Sequence, residues 1–300
     1  MCAEPLYTTE TMASATILTE ELACSEASAA AGEPLAGSAS EAPLFAALAW
    51  PKARWHPDKA ALSEGLPAAI GALAKKLQLR LFDRVGPPAP GVEVVCADFA
   101  TGRSLHRIAP DAEAAAREVE AFLRGAEGPA LAAPLVLVCT DGRHDRCCGK
   151  LGRSLAAALR GSLDVAEASH LGGHRLAANC LVLPTGRLYG RVTAADAARL
   201  AAAISRDEVY LPCYRGRSGL SELEQVAEAA ALGLFPRASA ATVKSPILGE
   251  ASGVATAAVV AEGRTAHVTC ERRRFVGIGS CGDAEPETRE RWVATSVQAL

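Results

Sequence analysis

The stretch Leu135–Arg191, LVLVCTDGRHDRCCGKLGRSLAAALRGSLDVAEASHLGGHRLAANCLVLPTGRLYGR, constrains the chain more than any other part of it. Its apolar run Leu135–Val138 reads as a strand, and it delivers Cys139 at its end. A polar loop containing Asp141, Gly142 and Asp145 follows. Cys147 and Cys148 then open an Ala/Leu-rich helical segment, and His170 and His174 come later, separated by Leu171-Gly172-Gly173. Two glycines cost roughly 2 kcal/mol in a helix interior, so the imidazoles belong to a loop. Two thiols and two imidazoles near element ends are the raw material of a metal site.

The composition narrows the setting. The net charge of −3 gives no general attraction to nucleic acid or to an anionic membrane. No apolar run approaches the roughly 20 residues of a membrane helix, and MCAEPLYTTE lacks the basic-then-apolar order of a secretory signal. Ten cysteines occur without a regular framework; Cys96 and Cys180 sit inside β-like apolar runs, where a reduced Cys packs as a small hydrophobe. These features predict a cytoplasmic protein with reduced thiols.

The element order repeats. Strands are predicted over 44–50, 79–85, 92–97 and 104–108, with helices over 65–78 and 112–123. The second half reads strand 135–138, helix 149–159, strand 165–168, a hairpin of 179–183 and 187–190 around Pro184-Thr185-Gly186, and helix 194–205 capped by Thr193. A β-α-β unit followed by a hairpin and a helix is the thioredoxin-like plan. The expected architecture is therefore α/β, with two such modules side by side; the alternative is one continuous α/β sheet. Residues 1–40 form an extension draped over the surface, 41–128 a module without ligands, 129–236 the ligand-bearing module, and 237–300 an exposed appendage. That appendage includes a small hairpin around Glu262-Gly263-Arg264 and the basic run Arg272-Arg273-Arg274.

Cys139 and Cys148 stand in a C-x8-C relation and His170 and His174 in an H-x3-H relation. The thiol pair can embrace a metal if the 140–147 loop folds back. Adjacent residues point different ways, so Cys147 is expected to be a packed thiol, and His144 a solvent-exposed spare imidazole. Zinc accepts two Cys and two His but favours tighter cysteine knuckles. A [2Fe–2S] cluster takes the same ligand set, and spacing alone leaves the two open.

The segments CTDGRHDRCCGKLGR, SHLGGHRLAANCLVLPTGRLYGR and YRGRSGL, with CSEASAAAGEPLAGSA before them, resemble the sucrase/ferredoxin-like family, from about Cys24 to Leu234. The chain departs from the family pattern at Asp141, His144, Leu176 and Ala178. The resemblance implies a thioredoxin-like ferredoxin with [2Fe–2S] held by Cys139, Cys148, His170 and His174, exchanging electrons with a protein redox partner. The alternatives are a zinc-stabilised binding module on the same four residues, and a thiol oxidoreductase using Cys147 and Cys148, which lacks the usual C-x-x-C. Sugar hydrolysis needs two carboxylates flanking a cleft, and the sequence shows no recognisable pair.

Overall fold

The structure, a computed structural model, describes residues 23–56, 63, 65–86, 90–235, 241–251 and 253–300, with 241–251 described by its backbone alone. The first half contributes α1 (Cys24–Ala30), β1 (Leu44–Ala49), α2 (Ala68–Leu73), β2 (Gln78–Asp83), β3 (Val92–Asp98), β4 (Ser104–Ala109) and α3 (Ala112–Leu123). The second contributes β5 (Leu135–Cys139), α4 (Arg146–Leu159), β6 (Asp164–Ala168), β7 (Cys180–Leu183), β8 (Arg187–Tyr189), α5 (Ala197–Ser205), β9 (Tyr214–Arg217) and α6 (Glu222–Leu234). In each half the first two strands pair in parallel across a helical crossover. The third strand pairs antiparallel with the first, and the fourth with the third. Both halves thus keep the thioredoxin-like strand order.

The two repeats do not close separately. Their strands form one nine-stranded sheet in the order β4-β3-β1-β2-β6-β5-β7-β8-β9. The seam is antiparallel, with Phe82 opposite Ala168 and Asp83 opposite Glu167. The expectation of two modules side by side is corrected here to the alternative of one continuous sheet. Each repeat would leave an edge strand with unpaired backbone groups, and the β2–β6 seam pairs the ends of these two edges.

One face of the sheet packs against helices. Leu48, Ile70 and Phe122 form a core with α2 and α3, while Val136, Leu155, Tyr189 and Leu200 form another with α4, α5 and α6. The other face is common to both halves and holds Phe45, Phe82, Leu137, Leu181 and Leu188. The sheet curls over this shared core, so that Phe99, after β3, reaches the β7–β8 turn. There a Cβ on Gly186 (φ 73°) would lie 2.7 Å from its ring. Helix α2 is shorter than predicted; Gly71 lies within it and no side chain caps it. Asp196, not Thr193, holds the N-cap position of α5, and the Thr193 hydroxyl donates to its carboxylate at 2.6 Å.

Both ends of the described chain are built into the core. Residues 1–22 of the expected extension lie outside the described residues. The rest is not draped over the surface: Cys24, Ser25, Ala27 and Ser28 are buried, and Gln225 of α6 accepts from the Ala39 amide at 2.9 Å. After α6, β10 (Ala241–Ala251), β11 (Val254–Ala261), β12 (Arg264–Gly277) and β13 (Glu287–Ala299) form an antiparallel sheet. The hairpin at Glu262-Gly263-Arg264 is present, but this region is no exposed appendage. Ala257, Val259, Val268, Cys270 and Trp292 share a core with Val226 and Leu232 of α6. The basic run is only partly a solvated face, since the Arg272 guanidinium lies 4.4 Å from the centre of the Trp292 ring. No helix among the described residues is long and apolar enough to cross a membrane.

Trp292→Ala tests this integration. Truncating a buried Trp costs about 3–5 kcal/mol, and the shared core predicts one cooperative transition with a lowered midpoint in chemical denaturation followed at several wavelengths. An independent C-terminal unit would instead unfold separately and leave the main transition in place.

Candidate functional site

The site forms where β5, α4 and the segment after β6 end together. Cys139 is the last residue of β5 and is buried. The loop after it does fold back. Asp145 caps α4, its carboxylate accepting from the Cys147 amide at 2.8 Å. The helix therefore starts at Arg146, three residues earlier than predicted, and places Cys147 and Cys148 in its first turn. Two glycines permit the approach. A Cβ on Gly149 would lie 2.6 Å from the Gly142 Cα, and one on Gly152 would collide with the Cys139 carbonyl oxygen. The sequence carries this signal as Gly149 and Gly152 on one side of a predicted helix.

The structure brings together Cys139, Cys148 and His170, whose ligand atoms all lie within 4.8 Å of one another. Cys148 Sγ is 3.9 Å from His170 Nδ1. His144, His170 and His174 make an overlapping group within the same 4.8 Å limit. His144 is not the exposed spare predicted from sequence: it is half-buried, and its ring centre lies 4.0 Å from that of His170 and 5.5 Å from that of His174. His174 Nδ1 is buried without a hydrogen-bond partner. A buried unpaired ring nitrogen costs free energy unless something binds it.

The two thiols of the pair are shifted in opposite directions. The Cys148 thiol donates to Cys139 and holds the Cys139 thiol below its usual range; backbone N–H groups of Leu171 and Asp141 act in the same direction, against burial. The Cys148 thiol is shifted the other way, raised first by its contact with Cys139 and then by burial. Both residues also lie near the positive end of the α4 dipole.

The histidine loop is held from behind. Gly172 and Gly173 take φ values of 93° and 71°, which favour glycine. A Cβ on Gly173 would meet the Arg215 guanidinium at 2.6 Å. Arg215, from the YRGRSGL segment, donates to the Gly172 carbonyl at 3.0 Å and to Asn179 Oδ1 at 2.9 Å, and also to the Ser38 carbonyl. Asn179 in turn donates to the Gly173 carbonyl at 2.9 Å. Burial lowers the Arg215 pKa to about 9. The sequence singles out neither Arg215 nor Asn179: each acts on the loop through a backbone carbonyl, Arg215 from 43 positions away.

The other candidates separate. Cys147 does not join Cys148; its sulfur lies 3.5 Å from Cys24 and 3.2 Å from Cys281. Cys180 is buried in β7, and burial raises its thiol. Arg175 forms an ion pair with the buried Glu33 at 2.6 Å, whereas Arg146, Lys150 and Arg153 are exposed. With Lys52 and Arg143, these three line a cleft of about 800 Å³ beside the loop.

The sequence model of the sucrase/ferredoxin-like family matches residues 35–216, more than half of the chain, and the protein belongs to that family. No curated protein and no solved structure matches it.

Gly152→Ala is expected to force α4 off the end of β5. Overpacking of this kind costs about 1–3 kcal/mol, so the denaturation midpoint should fall. Cys139 and Cys148 should also become reactive to a thiol reagent under native conditions. Unchanged stability and unchanged thiol protection would show that the close approach does not govern the site.

Proposed function

We propose that this member of the sucrase/ferredoxin-like family is an electron-transfer protein carrying one [2Fe–2S] cluster on Cys139, Cys148, His170 and His174. The observation that carries the reading is the meeting of a buried thiol pair with the His170 ring, beside a His174 Nδ1 that has no partner. Two thiols meet His170, and His170 in turn belongs to a second group with His174 and His144; two soft and two borderline donors are the set that suits this cluster, which supplies one-electron chemistry when bound.

The chain's own residues supply the rest. Imidazoles in place of two thiolates leave the centre less negative, which raises its potential relative to an all-Cys site. Hydrogen bonds from the Leu171 and Asp141 amides to Cys139 work in the same direction. Arg215 and Asn179 fix the loop that presents both histidines, so the ligand positions are set before anything binds. The nine cysteines among the described residues are free thiols, which accords with a reducing, cytoplasmic setting. The basic cleft suits an acidic face on a redox partner.

Iron and acid-labile sulfide assays on purified variants test the ligands. Cys139→Ser and Cys148→Ser should lose the cluster and its red-brown colour, and Cys147→Ser should keep most of both. Loading that survives Cys148→Ser but not Cys147→Ser would reverse the choice of neighbour. A colourless wild-type protein holding zinc on these four residues would establish the binding-module reading instead.

Charge reversal tests the cleft. In Lys150→Glu/Arg153→Glu, electron exchange with anionic ferricyanide should slow by about threefold or more at low salt, and the effect should fade as salt rises. Exchange with cationic hexaammineruthenium should not slow. Equal effects on both reagents would mean that the cleft does not steer partners by charge.

A further inference from the structure

Cys147 belongs to a second constellation that the electron-transfer reading does not use. Three thiols from separate parts of the chain converge on it: Cys24 begins α1, Cys147 lies in the first turn of α4, and Cys281 sits between β12 and β13. Their sulfurs form a triangle with edges of 3.2, 3.4 and 3.5 Å. Both carboxylate oxygens of Asp145 lie 3.7 Å from the Cys24 sulfur. We propose that Cys24, Cys147, Cys281 and Asp145 bind a single Zn2+ ion, in a structural site distinct from the one on Cys139, Cys148, His170 and His174.

The geometry is near that of a tetrahedral zinc site. Zn–S bonds of about 2.3 Å and Zn–O bonds of about 2.0 Å imply S···S edges of about 3.8 Å and S···O edges of about 3.5 Å. The triangle needs to open by only a few tenths of an ångström. A disulfide, with S–S near 2.0 Å, would require one pair to close by more than an ångström and would leave the third thiol unpaired.

The surroundings are those of a built site. Asp145 is oriented by the Cys147 amide, the Cys281 amide and the Ser280 hydroxyl, at 2.8, 3.0 and 3.0 Å. The Ser25 hydroxyl donates to the Cys147 sulfur at 3.2 Å. Donors that fix carboxylate and thiolate ligands are the usual outer shell of a metal. Three thiolates and a carboxylate leave a net negative charge around Zn2+, and the Arg146 guanidinium against Cys281 opposes it. Four protein ligands leave no open position, which is the mark of a structural rather than a catalytic zinc. Cys281 lies outside both the span matched by the family model and the stretch that resembles the family, so the three-thiol site as a whole is not implied by either. Its effect would be to clamp the N-terminal helix and the C-terminal sheet onto α4.

Metal analysis of the full chain under reducing conditions tests the proposal. Wild-type protein should hold about one zinc per chain. Cys24→Ser and Cys281→Ser should lose it while iron content and visible spectrum stay unchanged. Cys139→Ser should keep the zinc, whatever happens to iron. Should a variant fold poorly, the wild-type protein decides the matter. Zinc should shield Cys24, Cys147 and Cys281 from N-ethylmaleimide until a chelator is added, as mapped by mass spectrometry. Cobalt substitution should give sulfur-to-metal charge-transfer bands and intense tetrahedral d–d bands. Zinc retained in both Cys24→Ser and Cys281→Ser overturns the proposal, as does zinc lost in Cys139→Ser alone. So does a wild-type protein that takes up neither zinc nor cobalt, or one whose mass shows a disulfide among the three cysteines.

Discussion

The close approach of α4 to the end of β5 governs most of what this protein presents. With no side chain at Gly142, Gly149 or Gly152, helix and loop backbones touch, and Cys139 faces the first turn of α4. Dispersion and buried area favour such contact only when nothing protrudes. The approach fixes three things at once: the thiol pair, the position of Asp145 as helix cap, and the projection of Cys147 away from Cys148. Its cost is a helix whose first turns carry two glycines, each unfavourable by about 1 kcal/mol relative to Ala. The buried contacts of Leu155, Ala156 and Leu159 further along α4 offset that cost.

A second constraint acts on the imidazoles. A loop with two left-handed glycines has no intrinsic reason to hold one shape. Arg215 and Asn179 supply that reason by occupying the carbonyls of Gly172 and Gly173. Burying a guanidinium is costly unless its donors are satisfied, and Arg215 meets the condition with Ser38, Gly172 and Asn179. The N-terminal segment thereby becomes part of the histidine loop's support, which explains why residues that read as a surface extension are buried.

Local features were legible in the sequence and distant ones were not. The run Leu135–Val138, the loop glycine and the Ala/Leu periodicity announced a strand, turn and helix, and with them the positions of Cys139 and Cys148. The β-α-β-β-β-α order of both halves was also readable, because each element has its own period. The β2–β6 seam was not, since it rests on only two facing residue pairs and leaves no pattern in either strand. His144 reads as exposed because it lies in a polar loop, whereas the turn, with the His144 amide donating to Asp141, carries its ring against that of His170. The role of Cys281 had no signal at all. It is more than a hundred positions from its partners in sequence, and only the packing of β12 and β13 against the rest brings it in.

Asp145 joins these separate facts. A carboxylate at a helix N-cap is ordinarily explained by the orphan amides of the first turn, and here it accepts from the Cys147 amide in that way. Yet two further donors, the Ser280 hydroxyl and the Cys281 amide, come from the C-terminal segment. Burial alone would raise its carboxyl; the Cys281 and Cys147 amides, followed by the nearby His174, hold it below the usual carboxylate range. Because Asp145 remains ionised, it fixes the start of α4, and so the direction in which each adjacent cysteine leaves the helix. The divergence of Cys147 and Cys148 is therefore not a matter of side-chain choice. It follows from a helix register set by one cap and locked by contacts from the far end of the chain.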